Sequence, residues 1–245
     1  MKKLFIVFLC LVLNGCATLP EASRTEDKYR ANFVYTSDAQ ENIPYNGEVI
    51  FTVSSILFKT KGSLLWFSSQ QFVNLPDAIK QDSLEILTAK GFGVRGPYDS
   101  YDVIPFQDKK NIDLLLIPTL ELSVILSEQK EELENYWAWQ SPTNQTGKAE
   151  VSGKITIELR EITTRELMWT KTIPVKEFEF SYLVSIPWGT NRAPGKLYDA
   201  NPVFDGMAKG LEKQYPDLIG TIKELIDPEE MAIIKKQCQE LKNKT

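Results

Sequence analysis

Leu114-Leu115-Leu116-Ile117-Pro118-Thr119-Leu120-Glu121-Leu122-Ser123-Val124-Ile125-Leu126 changes its period partway along, and that change decides the fold. The first four residues are apolar on both faces of any strand they form, which predicts a central strand covered on each side. Beyond Pro118 the pattern alternates. Leu120, Leu122, Val124 and Leu126 share one face, with Glu121 and Ser123 on the other, as in a strand that packs one side only.

A second segment answers it. Val151, Ile155, Ile157 and Leu159 alternate with polar residues, Thr163-Thr164-Arg165 supplies a turn, and Leu167, Trp169, Ile173 and Val175 return. This reads as a hairpin. The apolar phase then slips by one residue to Phe178, Phe180, Tyr182 and Val184 beside Pro174, which predicts a bulge. Upstream, Gly47 to Phe58 reads as one strand. Pro76 to about Lys90 reads as a helix closed by Gly91, and Phe92 to Arg95 as a short strand. Glu128–Asn135, Ser141–Gly147 and Ile186–Ala200 read as loops. Asn201-Pro202 caps a helical end that Pro216 kinks or splits, and Asp227-Pro228 starts the last helix. The expected fold class is α+β: a mixed, mainly antiparallel sheet with helices on one face and a helical C-terminus.

The N-terminus gives an address. Met1-Lys2-Lys3 precedes an unbroken apolar run from Leu4 to Leu13, followed by Asn14-Gly15-Cys16. The run is shorter than the about 20 residues that span a bilayer and suits the core of a secretory signal. Aliphatic, polar, glycine, cysteine is the pattern of bacterial lipoprotein maturation, so Cys16 is the expected lipidated first residue. Ala17 behind it favours the outer membrane, with the leaflet left open. The organisation expected is a signal over 1–15, a lipidated tether over 16–46, in which Phe33 to Tyr35 either stay in the tether or dock as an edge strand, and one domain over 47–245.

Composition excludes several chemistries. The chain of 245 residues has 28 basic and 33 acidic residues, and Lys2 and Lys3 leave with the signal. That balance argues against sequence-independent nucleic-acid binding. With Cys10 in the signal and Cys16 under lipid, Cys238 is the single remaining cysteine, so no internal disulfide forms. Histidine is absent, which removes His-based triads and the usual zinc sites. Glu131-Glu132 and Glu229-Glu230 are adjacent pairs that do not face one another on a helix. Gly91-Phe92-Gly93 lacks the third glycine of a dinucleotide loop. No enzyme, cofactor or metal is expected beyond the covalent lipid on Cys16.

Aromatic residues carry the remaining candidates. Tyr136, Trp137 and Trp139 form a stacking platform for sugars or else pack on the sheet. Trp188, between Pro187 and Gly189, reads as an exposed loop residue for partner contact, while Trp66 and Phe67, in another predicted loop, either pack the loop or meet a membrane or partner. Met231, Ile234, Cys238 and Leu241 stripe the last helix, to dock on the domain or to join copies. Gly206 and Gly210 have the spacing of close helix contacts.

The chain resembles the neuraminyllactose-binding haemagglutinin family of outer-membrane and flagellar-sheath lipoproteins. The residues that carry the likeness are Glu48–Val53, Ile86–Val94, Phe106-Gln107-Asp108-Lys109-Lys110 and the end from Lys235 to Lys244. The resemblance implies a non-catalytic, adhesin-like or sheath-associated binding protein. The family's lysine-rich sialic-acid segment is replaced here by Ser127-Glu128-Gln129-Lys130-Glu131-Glu132. Acidic residues repel a sialic carboxylate and no Arg is there to grip it, so sialyl-glycan binding is not carried over. Partners expected are the membrane through the lipid, and a glycan or an envelope protein. The rival reading is an envelope assembly, secretion or transport accessory that forms a homo-oligomer.

Overall fold

The apolar run from Leu114 opens a strand that pairs on both sides, and the sheet grows from it. The computed structural model describes residues 29–36, 49–61, 64–136, 139–187 and 196–243. In chain order these hold β1 (Ile50–Val53), β2 (Leu57–Lys61), α1 (Leu75–Ala89), β3 (Gly93–Val94), α2 (Phe106–Asn111), β4 (Leu114–Tyr136), β5 (Trp139–Glu161), β6 (Leu167–Ser185), α3 (Asn201–Leu225) and α4 (Pro228–Lys242). The sheet order is β3-β1-β4-β5-β6, with β2 also on β4. β1 lies parallel to β3 and β4, and β2 parallel to β4. β4, β5 and β6 form a long antiparallel meander. The fold is α+β with a mixed, mainly antiparallel sheet.

Burial follows the period change read from the sequence. Leu114, Leu116, Leu120 and Leu122 enter the main core with Val151, Ile155, Ile157 and Leu159 of β5. Leu115 turns to the opposite face, where Ile104, Ile112 and Ile162 enclose it. α1, α3 and α4 cover the main face with Ile79, Met207, Leu211, Ile222 and Met231. α3 can lie close on β6 because Gly206 and Gly210 face Phe180 and Phe178. A Cβ at either glycine would fall 2.2 or 2.0 Å from the ring. The spacing noted in the sequence thus serves contact between a helix and the sheet.

Several elements differ from expectation. The segment read as one strand over Gly47–Phe58 is β1 and β2. Both follow β4, with one extra residue between Val53 and Leu57 relative to Leu116–Thr119. Glu128–Asn135 and Ser141–Gly147 are strand, the outer parts of β4 and β5. Their alternation is broken by a bulge at Glu128, which has a φ of 51°, and by a second shift near Leu133. The first stretch is mostly charged and the second mostly small and polar, so neither leaves a hydrophobic period to read. The bulge expected near Pro174 is present: β6 carries one extra residue between Val175 and Phe178.

α3 runs unbroken through Pro216. Tyr215, Leu218, Ile219 and Ile222 anchor the following turns in the core, outweighing one lost helical hydrogen bond. Asn201 is its first residue, and the Asp199 carboxylate accepts from the Asn201 N–H at 2.9 Å. Met231, Ile234 and Cys238 are buried, so the last helix docks on its own domain. Part of the stretch read as tether also joins the body: Ala31 and Phe33 are in the core, with no strand pairing. Cys16, Trp137 and Trp188 lie outside the described residues.

Candidate functional site

Pairing lengths place the aromatic candidates. β2 stops pairing with β4 at Ser123. β6 ends opposite Asn144, with Ser185 as partner. β4 and β5 continue together until Tyr136 meets Trp139. From Asn144 to Trp139 the described chain is therefore a two-stranded ribbon. At the rise of an antiparallel strand it extends about 17 Å. Tyr136 and Trp139 are direct cross-strand partners.

The foot of the ribbon is fastened. The Ile186 N–H donates to the Thr143 carbonyl at 2.8 Å, so the chain leading to Trp188 leaves the sheet there. Gln145 is fully buried. Its Oε1 accepts from the Tyr198 N–H at 3.2 Å and its Nε2 donates to the Lys196 carbonyl at 3.4 Å. The returning segment before α3 is held to the same spot. The topology brings Tyr136, Trp139 and the approach to Trp188 to one end of the sheet. Gln145 was invisible in the sequence, because a lone glutamine in a polar stretch carries no signal of burial.

Trp66 is elsewhere. It is fully buried, edge-on to Phe72 at 4.9 Å and to Phe58 at 5.4 Å. In this fold it is core, as loop packing would have it, and only Leu65 beside it is exposed.

Ionisable groups away from the ribbon are structural. Tyr215 donates to Asp82 at 2.5 Å, with both side chains buried between α1 and α3. Burial raises the Asp82 carboxyl, and the Tyr215 bond pulls against that rise. Glu161 is fully buried, accepts from the Thr163 and Thr164 N–H groups at 2.7 and 2.5 Å and lies 3.5 Å from Lys242. It fixes the β5–β6 turn, where Arg165 has a φ of 62°, and ties α4 to it. Burial, then Glu161, pushes the Cys238 thiol up to about 11, so the thiolate is scarce. Among the described residues no group of three or more His, Cys, Asp or Glu could hold a metal ion. No described helix is long and apolar enough to cross a membrane.

One groove of about 840 Å³ lies between Tyr35, Pro174, Pro216 and Glu224. Lys176 and Asp217 close a salt bridge across its wall at 3.0 Å.

No family model matches the chain, and no curated protein matches it either. Solved structures do. A protein described as a homologue of the neuraminyllactose-binding hemagglutinin, from Helicobacter pylori, superposes with a TM-score of 0.59 at 13% identity, over 86% of this chain and 99% of that one. Lipoprotein GNA1162 from Neisseria meningitidis gives 0.26 at 10% identity, over 69% and 99%. Protein XCC0632 from Xanthomonas campestris gives 0.30 at 11% identity, over 86% and 98%. At 13% identity the first likeness is one of architecture, and the chain has the fold of that hemagglutinin homologue.

Proposed function

We propose that the protein is a non-catalytic, adhesin-like binding protein of the bacterial outer membrane, held by lipid on Cys16, that contacts its partner with the aromatic end of the β4–β5 ribbon. The observation that carries this reading is the ribbon itself. It continues past the last strand that pairs with it, β6 ending opposite Asn144. Ordering a two-stranded ribbon beyond the rest of the sheet costs conformational entropy, and binding supplies a reason for it. The likeness in fold to a hemagglutinin homologue agrees with this role.

The anchor suits such a role. A diacylglycerol with an amide-linked chain holds a soluble domain stably, each buried methylene contributing about 0.8 kcal/mol. Residues 17–28 then span at most about 40 Å to the docked Tyr29. A Cys16→Ala variant is expected to leave the membrane fraction. Protease shaving of intact cells is expected to degrade the wild-type domain. Complete protection would refute the adhesin reading and leave an accessory role inside the envelope.

A further inference from the structure

We infer that the end of the sheet where β4 begins rests on an anionic phospholipid surface, an inference that depends on the lipid anchor of the reading above and adds an orientation to it. This end is built by α2, the chain before it and the β5–β6 turn. Asp102 accepts from Arg165 at 2.9 Å, which joins the chain before α2 to the turn. Phe106 is 73% exposed and Val103 58%, and Leu167 is exposed where β6 leaves the turn. Lys109 lies over the Tyr101 ring at 3.9 Å, with the Arg165 guanidinium 3.6 Å from the same ring, and Lys110 lies over Phe106 at 4.8 Å. Asp108 is taken by Tyr98 at 2.7 Å and Arg95 at 3.9 Å. Lys109 and Lys110 are left with no carboxylate partner among the described residues. Glu166, exposed in the turn, is the opposing charge.

Exposed apolar side chains beside lysines suit the boundary of a bilayer, where the first enter the acyl margin and the second meet phosphate. Charge along the sheet favours the same orientation. Residues 128–147, at the far end, hold four Glu and one Lys, so an anionic surface repels that end and draws the other. The anchor reaches. Tyr29 donates to Glu212 of α3, close to Gly210, which faces Phe178. Phe178 pairs through Val151 with Val124, about 34 Å along β4 from Leu114. Residues 17–28 span up to about 40 Å, enough to bring the start of β4 to the lipid. A tethered domain needs little affinity to stay there, because the tether sets a high effective concentration. β4 is 23 residues long and then carries the ribbon up to about 75 Å from the membrane, towards a partner.

The test uses the full-length lipidated protein in vesicles of phosphatidylcholine, alone or mixed equally with phosphatidylglycerol. Cys238 is buried and Cys16 carries the lipid, so a nitroxide attaches at Gln107→Cys, beside Phe106, or in a second variant at exposed Leu133→Cys on the ribbon. Collisions with oxygen, which enters lipid, are compared with those of a water-soluble nickel chelate. At Gln107 the chelate should be excluded in the mixed vesicles, less so in phosphatidylcholine, and readmitted in about 1 M NaCl, where screening acts within about 3 Å. The label at Leu133 should stay open to the chelate throughout. Lys109→Gln combined with Lys110→Gln should cut the docked population about ten-fold or more at unchanged thermal midpoint, and Phe106→Ala should lower it too. A label at Gln107 equally open to the chelate in both vesicles, or exclusion indifferent to salt and to the lysine pair, overturns the inference. Exclusion already present in detergent without vesicles, rising with protein concentration, would assign this end to a second copy and overturns it as well. In those cases the protein still floats with the vesicles and the anchor stands; failure to float refutes the anchor and this inference together.

Discussion

Gly153 of β5 faces Leu122 of β4, and a Cβ added there would lie 2.3 Å from the Glu121 carbonyl oxygen. Glycine to alanine in a compatible place usually stabilises by about 0.4–1 kcal/mol through the unfolded chain. Here the backbone contact reverses the sign. Gly153→Ala is expected to cost about 1–3 kcal/mol and to lower the thermal midpoint by roughly 2–4 °C per kcal/mol, measured by calorimetry. A second residue-scale case is the pair of Asp82 and Tyr215. The Asp82 carboxyl is raised above its ordinary range by burial, so the native state holds a proton that the unfolded chain has released. Its contribution to stability is complete below the ordinary carboxylate pKa and is lost as pH rises through the raised value. Asp82→Asn keeps an acceptor for Tyr215 and removes the titration. Urea midpoints across mildly acid pH should therefore depend less on pH in that variant. Tyr215→Phe instead strands a buried carboxylate, at a cost of about 1–3 kcal/mol.

Among the elements, the last helix is the one whose role was open between docking and association. Asp227 caps it by accepting from the Glu229 N–H at 2.8 Å. Trp169 donates to Glu230 at 3.0 Å, and Lys235 reaches Asp113 at 3.2 Å. These contacts hold the helix on β6 and the edge of β4, with Cys238 beneath it. A buried thiol pushed up to about 11 should resist a disulfide reagent at pH 8 in the native protein and react fully in denaturant. Rapid native labelling would mean that the helix detaches. The stripe of Met231, Ile234 and Cys238 was legible from helical spacing. Which surface received it was not, because Glu161 and Asp113, its polar partners, are distant in sequence.

At the scale of the whole molecule, the body is expected to hold without the end of the ribbon. The main core is enclosed by β4, β5, β6 and the helices up to Gln145 and its bonds to Lys196 and Tyr198. Replacing Glu134–Ser141 by Asn-Gly between the partnered Leu133 and Pro142, which keeps Thr143, should leave the thermal midpoint nearly unchanged while abolishing binding at the end. A large drop in midpoint would show that the ribbon stabilises the body. What the sequence determined by itself was the covered strand from Leu114, the hairpin with its slip near Pro174, and the stripes of the helices, because burial imposes a period that local residues must obey. Only the tertiary structure decided that the polar stretches 128–135 and 141–147 are strand, that Trp66 is core, and that Gln145 is a clamp. Strand pairing is satisfied by backbone groups that nearly every residue carries, so where few apolar side chains mark a buried face the sequence leaves no trace of it.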